Sequence, residues 1–193
     1  MRTPWHLRDY VFAAFMTIGM VIAVFIVGPF APPGFQLLAW SPFAGIFLTL
    51  GMARLQRRGS VALMILPLAV LLGLVSPIIT LYLAVTVLVT EGVMFFVGNY
   101  RRKINRLIGD VLFFGSANLI GLLLLINFSQ GLISKIKDPK KAETFTQLIQ
   151  FMNQPGTLIL LTVLAAVAGA LGWFLGELAV KQLQKAGKLD VEL

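Results

Sequence analysis

The chain reads as long apolar runs separated by short clusters of charge, glycine and proline. Tyr10 to Gly28 is uncharged and long enough for one membrane crossing of roughly 20 residues. Gly28-Pro29 and Pro32-Pro33-Gly34 break it. Phe35 to Ala53 is a second run, stopped by Arg54, Arg57, Arg58 and Gly59. No charge appears from Val61 to Thr90, which is too long for one ordinary span. Ser76-Pro77 lies near the middle of Val61–Gly98 and predicts a tight turn between two short helices. Two more spans follow, from about Leu107 to Asn127 and from Gly156 to about Val180. The pattern predicts an all-α membrane protein with a single integral domain. It is a six-transmembrane-helix bundle with spans near 10–28, 36–53, 61–75, 77–98, 107–127 and 156–180. The first run is as long as a full span and lacks a small-x-small cleavage site, so it is expected to stay in the protein.

Phe128–Pro155 is the one long connection, and it contains its own helical signal. Asp138 suits an N-cap and Pro139 the first helical position. Ala142, Phe145, Leu148, Ile149 and Met152 recur on one face, and Asn153-Gln154-Pro155-Gly156 ends the pattern. An external amphipathic helix between helices 5 and 6 is expected, either lying in the interface or capping a cavity.

Composition narrows the function classes. Hydrophobic residues make up 58% of the 193 and charged residues 12%, about half the charge of an ordinary soluble domain. A soluble enzyme, a disordered chain and a disulfide scaffold are excluded on that ground. With no cysteine and one histidine, no thiolate or multi-histidine metal centre can form, and no cofactor is expected. The net charge of +8 would suggest nucleic acid on a soluble protein, but its distribution argues otherwise. Twelve of the sixteen basic residues, from Arg2 and Arg8 to Lys185 and Lys188, fall on segments that share one side if the spans alternate. Lys135, Lys137, Lys140 and Lys141 fall on the other. That asymmetry predicts a multi-pass protein of the plasma membrane with both termini cytoplasmic, in contact with the lipid bilayer and not with nucleic acid.

Catalytic and ATP-binding motifs are absent, so the chain is expected not to be an enzyme and cannot drive primary transport alone. His6 precedes the first span and reads as a surface residue. Asp110 follows Arg106 by four residues and Glu177 precedes Lys181 by four, so both acids are expected in local pairs near the inner surface. Glu91 has no basic residue three or four positions away inside an apolar helix. It reads either as a functional acid, since an intramembrane charge is expensive, or as a group bonded to a neighbouring helix. Gln36, Trp40, Ser41, Thr80, Tyr82, Asn118 and Asn127 fall in the outer or middle parts of their spans, with no charge among them. Such a set suits a neutral, partly flat ligand. Gln36, Trp40, Tyr82, Asn118 and Asn127 are therefore the candidate substrate contacts, although Trp40 and Tyr82 would equally fit an aromatic belt. Small residues four apart mark the first span, at Ala13/Thr17 and Gly19/Ala23. They mark the last at Ala165/Gly169 and Ala168/Gly172/Gly176. Either set could serve a partner helix or internal packing.

The whole-chain layout resembles the substrate-binding S component of energy-coupling factor (ECF) transporters, most like the branch labelled Trep_Strep. The likeness lies in the short N-terminus, the six spans, the basic turn after Phe35–Ala53 and the charged crossing Tyr100-Arg101-Arg102-Lys103. It extends to the long loop before the last span and the ending Gly169-Ala170-Leu171-Gly172-Trp173-Phe174-Leu175-Gly176 with its basic tail. The resemblance implies a cavity on the outer side for a vitamin or related micronutrient. It also implies docking on a transmembrane coupling subunit driven by two cytoplasmic ATPase subunits. Docking in the family uses an alanine-x-x-x-alanine pattern on the first helix. The nearest match here is Ala13-x-x-x-Thr17, so Ala13, Thr17, Gly19 and Ala23 are the expected coupling contacts. Two other readings stay open: a stand-alone secondary transporter or permease using Glu91, and a membrane assembly factor.

Overall fold

The computed structural model describes residues 5–32, 34–74 and 76–187, and within them it contains helices and no strands. Arg2 and Lys188 of the basic tally, Pro33 of the first turn and Val75 at the expected end of the third span lie outside the described residues. The helices are α1 (Leu7–Val27), α2 (Gln36–Leu55), α3 (Ser60–Gly73), α4 (Pro77–Val97), α5 (Lys103–Ile133), α6 (Pro139–Met152) and α7 (Pro155–Lys185). A 3-10 turn at Gly28–Phe30 follows α1.

Five of these, all but α3 and α6, are long and apolar enough to cross a membrane, so the protein is multi-pass. α3 is the departure. Its 14 residues make about 21 Å of helix, short of a hydrocarbon core of about 30 Å. The Ser76-Pro77 turn forms as the sequence indicates, with Pro77 opening α4 and Thr80 donating back to the Ala69 carbonyl at 2.8 Å. α5 also differs, running six residues past Asn127 to Ile133. Phe128–Ile133 contains no proline, and Gly131 alone is a weak breaker beside apolar neighbours. The long connection therefore shrinks to Ser134–Asp138 before α6. Asp138 caps α6 as expected, accepting from the Lys140 N–H at 3.0 Å.

α2 sits at the centre, packed on α7, α1 and α5. Its crossing with α7 is backbone on backbone. A Cβ added to Gly172 would lie 2.8 Å from the Gly45 Cα and 2.8 Å from the Pro42 carbonyl oxygen. The small residues of the last span thus serve internal packing, where close approach multiplies dispersion contacts. Large apolar side chains such as Phe15, Leu88, Phe96 and Val167 point outward, as lipid-facing residues do.

The alternation of helices divides the bundle into two ends. The N-terminus of α1, the α2–α3 and α4–α5 turns and the C-terminus of α7 share one end with all described basic residues except four lysines. Here Arg57 covers Trp5 at 5.2 Å and Arg58 covers Phe95 at 4.8 Å. The α1–α2 turn, the α3–α4 turn, the C-terminus of α5 and α6 share the other.

Candidate functional site

Two adjoining cavities open at the end away from the basic clusters, with volumes of about 240 and 180 Å³. Gln36, Leu37, Ile79 and Tyr82 form the wall they share. The larger is completed by Ser76 from the α3–α4 turn and by Asn118, Gly121 and Leu125 from α5. The smaller reaches toward α1, against Val24, Phe25 and Gly28. No acidic or basic side chain lines either cavity among the described residues. Gly121 makes the room: a Cβ there would first meet the Tyr82 ring, at 4.0 Å.

Four of the five candidate substrate contacts, Gln36, Trp40, Tyr82 and Asn118, come together here. Their states differ. Asn118 is 2% exposed and its amide nitrogen has no hydrogen-bond partner. Trp40 is equally buried, but its indole N–H donates to the Met20 carbonyl at 3.1 Å and its ring meets Phe114 edge-on at 5.8 Å. It is a fixed wall rather than a free stacking face. Asn127 does not reach the cavities. It is exposed, and its amide donates within α5 to the Leu123 carbonyl at 2.7 Å. Sequence reading took Ser76 for a turn residue alone, and it overlooked Gly121. The Ser76-Pro77 break was the available signal, since helix ends at a bundle mouth gather around any cavity there.

α6 packs behind the larger cavity, against the lining residues Gly34 and Leu122. Its Ile149 and Met152 are buried, and Met152 packs with Leu122 and Leu161. Gly34 holds a positive φ of 86°, and the Met152 side chain occupies the space a Cβ would need there.

Ala13, Thr17 and Ala23 lie on the buried face of α1, and Gly19 packs under the Phe47 ring. The Thr17 hydroxyl donates to the Met64 carbonyl of α3 at 2.8 Å. In this structure the four expected docking residues face into the bundle, against α2 and α3. The pattern of small residues does not reveal which way a helix is rotated.

The acids are arranged differently from the local pairing read in the sequence. Glu91 is the N-terminal cap of α3. It accepts from the Gly59 N–H at 2.8 Å, Val61 at 2.9 Å and Ala62 at 3.4 Å, using orphan donors of the first turn. Arg106 does not pair with Asp110, nor Glu177 with Lys181. Arg106 Nε donates to Glu177 Oε1 across α5 and α7 at 2.6 Å, with both side chains almost fully buried. One guanidinium nitrogen also donates to the carbonyls of Tyr100 and Arg101, at 3.0 and 2.7 Å. Asp110 accepts instead from Thr49 of α2, at 2.6 Å. Asp110 Oδ1 and Glu177 Oε2 are enclosed without partners. Burial, then the nearby Glu91 and Asp110, push the Tyr100 phenol well above its ordinary range.

The family model described as a hypothetical bacterial integral membrane protein (Trep_Strep) matches residues 7–185. No curated protein and no solved structure matches. The chain belongs to the Trep_Strep family of bacterial integral membrane proteins.

Proposed function

We propose that this member of the Trep_Strep family is the substrate-binding membrane subunit of an ECF-type, ATP-driven importer. It captures a vitamin or related micronutrient and passes it inward while docked on a transmembrane coupling subunit served by two cytoplasmic ATPases. The chain itself performs no catalysis in this reading. It lies in the plasma membrane with six crossings and cytoplasmic termini, the basic end inside and the α6 end outside. α3 then crosses as the short partner of α4, and α6 is the external helix.

The observation that carries the reading is the uncharged chamber at the α6 end, with the unpartnered amide of Asn118 in its wall. A chain with a preformed site for a small molecule and no ATP-binding motif needs energy from elsewhere. The inward-facing small residues of α1 leave the opposite, lipid-facing side of that helix, with Phe15 and Ile22, as its surface for a coupling subunit. The permease alternative rests on Glu91, whose carboxylate is already engaged as the cap of α3. Purification of the tagged chain from its native membrane should bring down a second membrane protein and two ATPases. Uptake into vesicles should then need ATP. Uptake by the chain alone, without ATP, would overturn the proposal.

A further inference from the structure

We infer that the ligand is an uncharged, elongated and largely apolar compound. It carries a carbonyl or similar acceptor at one end, held by Asn118, and an apolar body that extends into the smaller cavity toward α1. This rests on the binding-subunit reading and specifies its substrate class.

Three observations lead there. First, the two cavities adjoin along Gln36, Leu37, Ile79 and Tyr82, so a molecule that occupies both must be elongated and pass those four side chains. Second, the site carries no ionisable acid or base among its described lining residues. A carboxylate or phosphate entering it would be desolvated with no countercharge, which is the most costly form of burial. Third, polarity is uneven along the site. Asn118 and Ser76 belong to the larger cavity, whereas the α1 side of the smaller one is formed by Val24 and Phe25. The Trp40 N–H is already spent on Met20. The Asn118 nitrogen has no partner within the protein, and the terminal torsion of an asparagine is soft. A small rotation turns that nitrogen to an acceptor in the cavity. A buried donor left unpaired is costly, so the site favours a compound that supplies the missing acceptor.

Three probes of one shape separate the terms: 2-acetonaphthone, a neutral ketone; 2-naphthoate, its anionic counterpart; and 2-ethylnaphthalene, which has no acceptor. Each is titrated calorimetrically into the full chain in lipid nanodiscs, with empty nanodiscs subtracted. The ketone should bind at least about tenfold more tightly than either of the others. Asn118→Leu should erase its advantage over the hydrocarbon. Gly121→Leu, which fills the larger cavity beside Tyr82, should abolish binding of all three without lowering the melting temperature. Naphthoate binding as tightly as the ketone overturns the inference. So does an unchanged ketone affinity in Asn118→Leu, or no saturable ketone binding above empty nanodiscs. Equal signals from all three that survive Gly121→Leu would mark lipid-like partition and overturn it as well. The importer reading is judged separately. ATPase partners with an anion-preferring site would sink the substrate class alone, and the ketone preference without ATPase partners would sink the importer alone.

Discussion

At the basic end, Arg106 and Glu177 meet at 2.6 Å, Asp110 holds Thr49, and Glu91 takes three N–H groups of α3. At the opposite end the polar groups are uncharged, and Asn118 has a nitrogen with no partner beside open space. Charges inside a membrane protein are commonly where function is sought. Here the charges tie α2, α5 and α7 together and start α3, and among the described buried polar groups without a partner the Asn118 amide is the one that borders a cavity. An ion that is already engaged is part of the frame, and an unengaged dipole is an invitation.

This contrast can be broken by experiment. Arg106→Ala should have the largest effect, since it leaves Glu177 buried without its countercharge. A loss of about 3–5 kcal/mol is expected in denaturant titration of the purified protein. Replacing both partners, Arg106→Met with Glu177→Leu, should recover most of it. A loss under about 1 kcal/mol in the single variant would mean the pair is not structural. Gly172→Ala comes next, because its Cβ meets the backbone of α2. Overpacking of about 1–3 kcal/mol should appear in the same titration.

Glu91→Gln should cost about 1–2 kcal/mol, because the charged cap of α3 becomes a neutral one. It should leave the affinity for 2-acetonaphthone unchanged, since Glu91 contacts the α3 N-terminus and not the cavities. A Glu91→Gln variant that keeps full stability and loses binding would move the site to the basic end. The smallest effect on stability belongs to Asn118→Leu. It removes an unpaired buried donor, so its melting temperature should match or slightly exceed the parent's while ketone binding falls. Clear destabilisation would show that Asn118 has a structural partner.

Features set by local sequence were legible before the structure. The Ser76-Pro77 turn, the Asp138-Pro139 cap and the start of α2 all depend on residues within a few positions of one another. The gathering of Gln36, Tyr82 and Asn118 was legible too, because it needed only their depth along the spans. Arg106–Glu177 joins residues 71 apart, and each has an oppositely charged neighbour four positions away that it ignores. Local spacing offered a partner, and the rotation of α5 against α7 supplied a better one. The same unknown, helix rotation, hid the inward turn of Ala13 and Thr17. Asn127 lay at a plausible depth, yet its amide folds back onto α5.

The capping of α3 by Glu91 bears on how the protein is made. Glu91 is synthesised 32 residues after Gly59, so the α3 sequence is complete before its cap exists. Until then α3 is a 14-residue segment with open N–H groups at its start, too short to be stable alone in lipid. The first turn of α3 is therefore completed only once α4 has been made, and the two fold as one helical hairpin whose later member completes the earlier one. A ribosome paused between Gly73 and Glu91 would carry a complete α3 sequence whose first N–H groups still lack the carboxylate that caps them.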